Sequence, residues 1–256
     1  MQSIYNFPQY YPLILKRKAD VVEAETATLG KIFGKHNRKV NSILELACGT
    51  MPHGRNLAGK GYTVTGVDRS EEMLAEAQRL AKQDGVDVTT SCQDVIDFDL
   101  PDQRFNAAIF MFETFPLISD LVDLESHFKA VHKHLSPGGL FIVDVDKVKV
   151  VESSGREEWG HSEIEVPEGK IRYWYEDLAT DPSVGLCRMA LNCEIKQNGE
   201  AKRTKDEWAV RAYSTFSLQL LARTMPGWKY KGSYNWQDGS PDLSSVRHWF
   251  TVFQKV

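Results

Sequence analysis

Ile43-Leu44-Glu45-Leu46-Ala47-Cys48-Gly49-Thr50, followed by Tyr62-Thr63-Val64-Thr65-Gly66-Val67-Asp68, decides the fold of this chain. Two short apolar runs of β character flank a glycine-bearing turn and a helical span, and the second run ends in an acid. That order is the opening of a βαβ unit that holds a nucleoside-containing group at the ends of its strands.

The same alternation continues outward. Residues from about Asp20 to Phe33 place Val22, Leu29 and Phe33 on one helical face with acids between them. Ser70 reads as an N-cap with Glu71 and Glu72 in the first turn, and Met73, Leu74, Ala77 and Leu80 continue that helix to a stop at Asp84-Gly85. Val86 to Thr90 reads as a strand, and Phe105 to Met111 as a nearly unbroken apolar one of the kind a central parallel strand needs. Leu121, Leu124, Phe128, Val131 and Leu135 then mark a helix ending at Ser136-Pro137-Gly138-Gly139, before a buried strand Leu140 to Val145. The pattern predicts a doubly wound α/β sheet with helices on both faces.

Beyond about Val150 the texture becomes an alternation of polar and apolar residues: Lys170 to Tyr175, Leu186 to Lys196, and Lys202 to Val210. Asp181-Pro182 and Asn198-Gly199 serve as turns between them, which predicts an antiparallel sheet with one wet face. A helix from Thr215 to Thr224 and strands Trp228 to Tyr234 and Arg247 to Gln254 return to the main sheet. The expected division is 1–150 as the core with an N-terminal helical lid, 151–210 as an inserted antiparallel subdomain acting as lid or homodimer surface, and 211–256 as the remainder of the core.

Composition excludes several functions. The 256 residues carry 31 Lys plus Arg against 35 Asp plus Glu, a net charge of -4, so a polyanion such as nucleic acid is not the expected partner. No basic-then-apolar leader opens the sequence and no apolar run reaches membrane-spanning length; a soluble, cytoplasmic protein without a membrane partner is expected. Cys48, Cys92, Cys187 and Cys193 form no C-x-x-C pair and no metal-ligand spacing with histidine, so reduced, mostly buried thiols and no metal are expected. His132 and His134 point in different directions on a helix and read as surface histidines. Lys16-Arg17-Lys18 reads as a solvated face.

The turn discriminates between cofactors. Gly49-Thr50-Met51-Pro52-His53-Gly54 lacks the G-x-G-x-x-G of dinucleotide sites, and Arg55-Asn56 stands where a P-loop needs lysine and a hydroxyl. Met51 and Pro52 leave few free amides for a phosphate, which disfavours a nicotinamide-dependent oxidoreductase.

Glu45-Leu46-Ala47-Cys48-Gly49-Thr50, Gly66-Val67-Asp68-Arg69-Ser70-Glu71-Glu72-Met73-Leu74, Gln93-Asp94-Val95, Met111-Phe112 and Leu135-Ser136-Pro137-Gly138-Gly139 stand in the order and spacing of the successive motifs of one family. In them the chain resembles the class I S-adenosylmethionine-dependent methyltransferases, in the small-molecule branch that includes amino-sugar and glycine N-methyltransferases. The family's fold is a seven-stranded Rossmann-like sheet, mostly parallel with its last strand antiparallel; here it would carry the inserted antiparallel β-sheet.

The resemblance implies S-adenosylmethionine as cofactor. Gly49 would let the backbone approach the amino-acid portion, and Asp68 would accept hydrogen bonds from the ribose hydroxyls. Asp94 would meet the adenine amino group, the Val95 amide a ring nitrogen, and the carbonyl near Met111 the ligand's ammonium. Tyr10, Glu45, Ala47 and Arg69 complete the expected cofactor-binding set; Glu45 has two readings, ligand contact or hydrogen bonds to loop amides. The family's turn carries three alternate glycines, and here Ala47 and Met51 occupy the outer two positions.

Methyl transfer from a sulfonium is an in-line displacement that needs alignment and exclusion of water, not a nucleophilic residue. Tyr5, Tyr10 and Tyr11 stand where related enzymes use an aromatic lid, the alternative being that they staple the segment to the core. Glu113, just past Met111, is placed to hold an acceptor amine or take its proton, the alternative being a cap on the following segment. Glu113 and Tyr11 are therefore the expected catalytic residues. Arg211 and Arg247 read as salt-bridge partners. The expected activity is methylation of nitrogen or oxygen in a small polar metabolite. The alternatives are methylation of RNA or a protein side chain, and a non-catalytic protein that binds S-adenosylmethionine.

Overall fold

The computed structural model describes residues 2–15, 18–36, 39–147, 157–167, 169–197 and 199–256. The chain divides into two compact units, Lys18–Lys147 with Tyr213–Val256, and Met1–Arg17 with Val148–Ala212.

The larger unit is built on a seven-stranded sheet of β1 (Ser42–Leu46), β2 (Thr63–Asp68), β3 (Thr89–Cys92), β4 (Phe105–Phe110), β5 (Leu135–Asp146), β10 (Trp228–Asn235) and β11 (His248–Lys255). Its strand order is β10-β11-β5-β4-β1-β2-β3. β1 pairs in parallel with β2 on one side and β4 on the other, β2 with β3 and β4 with β5, while β11 runs antiparallel to both β5 and β10. The seven-stranded, last-strand-antiparallel sheet expected from sequence is thus present. Ile43, Leu44, Ile109 and Ile142 are fully buried because helices cover both faces of the central strands.

Register decides where loops emerge. Leu46 lies beside Val67 on one side and Phe110 on the other, so the residues after β1, β2 and β4 leave the sheet along one edge. The strand order reverses between β1 and β4, which makes that edge the switch point where open α/β sheets bind ligands.

The helices follow their sequence signals. In α4 (Glu71–Asp84), the Ser70 hydroxyl accepts the Met73 amide at 3.2 Å and Gly85, at φ 71°, ends the helix in the left-handed region. Asp120 caps α5 (Leu121–His134), accepting the Val122 amide at 2.7 Å. α2 (Ala19–Lys35), α3 (Pro52–Gly59) and α6 (Thr215–Thr224) complete the unit.

Four expectations are corrected. The third strand starts at Thr89 instead of Val86. Ser136-Pro137-Gly138-Gly139 lies within β5, whose pairing with β4 shifts register there, so the segment acts as a bulge more than as a stop. His134 is fully buried, its Nδ1 2.7 Å from the Ala130 carbonyl and its Nε2 accepting the Leu100 amide at 2.9 Å. All four cysteines are free, but only Cys48 and Cys193 are buried; Cys92 is exposed.

The smaller unit is a four-stranded antiparallel sheet in the order β6 (Glu157–Val166), β7 (Gly169–Asp181), β8 (Leu186–Gln197), β9 (Glu200–Arg211). Its first strand was not expected from the sequence: β6 is exposed along most of its length and lacks the apolar alternation of its neighbours. Residues near the N-terminus, expected to lie with the core, cluster with this sheet. Ile4, Tyr10 and Ile14, the last on α1 (Tyr11–Leu15), pack with Ile171, Tyr173, Leu191 and Ile195. The Ile4 amide and the Ser3 hydroxyl both donate to the Asp206 carboxylate, at 2.9 and 2.6 Å. Lys16, Arg17 and the turn residue Asn198 lie outside the described residues. No helix among the described residues is long and apolar enough to cross a membrane.

Candidate functional site

The turn after β1 is left-handed at three alternate residues, Ala47 (φ 48°), Gly49 (φ 52°) and Met51 (φ 59°). These are the positions where the resembling family carries glycines. Two of the three bear side chains here, at a cost of roughly 1 kcal/mol each for an L-residue in that region. Met51 offsets this by pointing inward: it is fully buried in the cluster containing Leu57 and Val64. Two glycines make room for it. A Cβ on Gly54 would fall 2.6 Å from Met51 Cε, and one on Gly66 3.1 Å from Met51 Sδ and 2.6 Å from Cys48 Sγ.

Three amides of the turn are committed to protein. Cys48 N donates to the Val67 carbonyl at 3.1 Å, Met51 N to the Cys48 carbonyl at 2.7 Å, and Gly49 N to Asp68 Oδ2 at 2.7 Å. Arg55 is held by the Thr50 carbonyl and the Asp84 carboxylate. With those amides and Arg55 engaged, the turn suits a nucleoside ligand without a phosphate.

Asp68 ends β2 with both oxygens fixed, Oδ2 by Gly49 N and Oδ1 by Ser70 N at 3.0 Å. Burial pushes its pKa up, and these two amides pull it back down. Each oxygen keeps a second lone pair, which is the capacity a ribose diol requires. Arg69 beside it is exposed. Glu45, in the middle of β1, is 1% exposed, and its Oε2 accepts the Gly54 amide at 2.9 Å. Burial raises its pKa to about 8.

Asp94 and Val95 lie in the loop after β3. Asp94 Oδ1 accepts the Ile96 amide at 2.9 Å, closing a local turn. The Val95 carbonyl is gripped from α5 by His127 Nδ1 at 2.6 Å. Burial holds that imidazole neutral, pushing its pKa down to about 4. Tyr10 and Tyr11 belong to the smaller unit; Tyr10 is 6% exposed within its apolar cluster, and the rings of Tyr11 and Tyr5 lie 5.1 Å apart.

After β4 the chain bends sharply. Met111 is buried and its carbonyl accepts the Thr114 amide at 3.3 Å, while Phe112 and Glu113 are both left-handed, at φ 61° and 48°. Strained non-glycine residues in succession at a strand end are a mark of a functional bend. The Glu113 amide donates to Asp144 Oδ2 at 3.3 Å, and its carboxylate lies 3.6 Å from His248 Nδ1.

That contact opens onto a buried chain of acids and imidazoles. His248 Nδ1 meets Asp144 Oδ1 at 2.7 Å, and His248 Nε2 lies 3.8 Å from Glu25 Oε1. Glu25 Oε2 meets His53 Nε2 at 2.7 Å, and His53 Nδ1 lies 3.8 Å from Glu45. Glu25, His53, Asp144 and Glu45 are 0–1% exposed.

Sequence reasoning missed Glu25, His53, His127, Asp144 and His248. A signal existed for two of them. Glu25 falls on the buried stripe of Val22, Leu29 and Ile32, and His127 on that of Leu124, Phe128 and Val131; a polar residue at such a position must find a partner inside. The other three have no local signature, because their partners come from remote segments.

Residues 43–139 match a family profile described as a methyltransferase domain. Among curated proteins, dTDP-3-amino-3,6-dideoxy-alpha-D-glucopyranose N,N-dimethyltransferase of Streptomyces fradiae is 30% identical over 136 residues, which cover 53% of this chain and 51% of that protein. The corresponding dTDP-3-amino-3,4,6-trideoxy enzyme of Streptomyces venezuelae is 25% identical over 134 residues, 52% of this chain and 54% of that one. The chain thus spans about half the length of the curated relatives it matches. In fold, it aligns with an S-adenosylmethionine-dependent methyltransferase from Clostridium acetobutylicum at a TM-score of 0.78, 22% identity and 96% coverage of each chain. DesVI of Streptomyces venezuelae aligns at 0.73, with 19% identity and coverage of 96% and 97%.

Residues 43–139 therefore carry a methyltransferase domain, on a fold shared with S-adenosylmethionine-dependent methyltransferases. Among the solved structures of this fold, CalS10 of Micromonospora echinaspora has S-adenosylmethionine bound.

Proposed function

We propose that this protein transfers a methyl group from S-adenosylmethionine to a small polar metabolite, with an amine nitrogen as the first acceptor to test and a hydroxyl oxygen as the second. The observation that carries the reading is the convergence of the glycine turn, Asp68, Asp94 and the Met111–Glu113 bend on one edge of the sheet, at its switch point. The names of the Streptomyces relatives favour an amino-sugar acceptor.

When bound, S-adenosylmethionine supplies an electrophilic methyl on a sulfonium. Gly49 would give the amino-acid portion close backbone approach, Asp68 would accept from the ribose hydroxyls, and Asp94 with the Val95 amide would read the adenine. A carbonyl near Met111 would meet the ammonium. His127, by gripping the Val95 carbonyl, fixes the loop that presents Asp94 and Val95. Glu113 is the proposed acceptor-side residue: it orients the acceptor amine and takes the proton it loses, leaving a lone pair for in-line attack.

The test is product mass spectrometry with dTDP-linked amino sugars, small free amines and hydroxyl acceptors, each with labelled S-adenosylmethionine. Appearance of a methylated amine that Glu113→Gln slows at unchanged cofactor affinity supports the reading. Tight cofactor binding with no product from any acceptor class would replace it with a non-catalytic binding role.

A further inference from the structure

We propose that Glu25, Asp144 and His248 form a divalent-cation site at the carboxyl edge of the larger unit's sheet. The three come from α2, β5 and β11, and one ligand atom from each lies within 4.8 Å of the others. All three residues are buried. Metal–ligand bonds of about 2.1 Å span ligand atoms up to roughly 4 Å apart; Asp144 faces His248 Nδ1 and Glu25 faces Nε2, so an ion would bind one ring nitrogen and require the imidazole to turn toward both acids. The 3.8 Å between Glu25 Oε1 and His248 Nε2 already falls in that range.

Charge favours an ion here. Glu25, Asp144 and the half-buried Glu113 bring three carboxylates to the imidazoles of His53 and His248. Carboxylates withdrawn from water are stable only beside opposite charge, and a dication supplies two units of it at one point.

The surroundings hold the ligands in place, as the outer partners of metal sites do. Glu25 Oε2 is fixed by His53 at 2.7 Å, Asp144 Oδ2 accepts the Glu113 amide at 3.3 Å, and the Trp236 ring stacks on His248 at 4.9 Å and 16°. One imidazole with two carboxylates suits Zn²⁺ or Mn²⁺ better than Ca²⁺, which prefers oxygen alone. Three protein ligands leave a further position for water or an oxygen of a small molecule.

The experiment is calorimetric titration of the metal-stripped full chain with Zn²⁺ and, separately, Mn²⁺, with the visible spectrum of added Co²⁺ as a coordination readout. One equivalent should bind to the wild type. Glu25→Gln, Asp144→Asn and His248→Gln should each weaken it by about tenfold or more, while the exposed His161→Ala leaves it unchanged. If His248→Gln does not fold, the near-isosteric Asp144→Asn decides. Absence of saturable binding for both ions, or equal binding in wild type and Asp144→Asn, overturns the site. Neither readout depends on methyl transfer, so this proposal and the proposed activity fail separately.

Discussion

The turn after β1 and the acid–imidazole chain beside it lie on the same sheet but are built by different means. The turn is local: Ala47 to Pro52 set its path, and its partners Val67 and Asp68 both come from the next strand. The chain is non-local: Glu25, His53, Glu113, Asp144 and His248 reach it from five segments spread over more than 200 positions. A local feature leaves a motif in the sequence, whereas a non-local one leaves only isolated polar residues on apolar stripes. The turn should therefore govern ligand affinity, and the buried chain should govern stability.

The largest effect expected is on stability. Glu25→Ala removes the carboxylate shared by two imidazoles, and breaking a buried pair of this kind costs about 3–5 kcal/mol; urea unfolding measures it. A loss below about 1 kcal/mol would reduce the cluster to the standing of a surface pair. Asp68→Ala should act the other way round. Loss of two hydrogen bonds to a carboxylate should weaken S-adenosylmethionine binding by roughly 100-fold, with a smaller change in unfolding midpoint. Unchanged affinity would remove Asp68 from the site.

The pH dependence separates two buried groups. Glu45 keeps its proton in the fold up to about 8, whereas the unfolded chain releases it near 4.5, so its contribution is present at low pH and lost as pH rises toward 8. His127 stays neutral down to about 4 while the unfolded chain protonates near 6.5, so its contribution is present above 6.5 and lost as pH falls toward 4. The two oppose each other between 4.5 and 6.5. Above that window Glu45 acts alone, and stability should fall by about 2 kcal/mol from pH 6.5 to 8. Glu45→Gln should abolish that slope in thermal melts at stepped pH.

Smaller still are the effects within the turn. Met51→Gly relieves a left-handed side chain but empties a buried site, for a net loss of about 1–2 kcal/mol. Ala47→Gly relieves the same strain without a cavity and should stabilise by about 0.5–1 kcal/mol. If both variants moved in the same direction, the inward packing of Met51 would not be what offsets its backbone.

Much of this molecule is legible in the chain of residues. The parallel order, the capped α4, the return strands and the turn after β1 follow from periodicity, from Ser70 and Gly85, and from the apolar runs of β1, β4 and β5. These depend on interactions within a few residues or on burial of a whole strand. The strand β6 was not legible, because an exposed edge strand needs no apolar alternation and takes its order from the hydrogen bonds of β7. His134 misled for the opposite reason: a polar residue was assigned to solvent although it sits one helical repeat from Val131 on the buried stripe.

By itself, then, the sequence determined the class of fold and the turn and strand-end acid at one edge of its sheet, since glycine at a left-handed turn and an acid at a strand end are requirements of local geometry. Tertiary structure alone decided that Glu25 would stand between His53 and His248, that Asp144 would meet His248 across two antiparallel strands, and that Met51 would turn inward over Gly54 and Gly66. Those partnerships depend on register and on the crossing of distant elements. Their energy comes from removing charge and apolar surface from water, which happens only when the whole sheet is assembled.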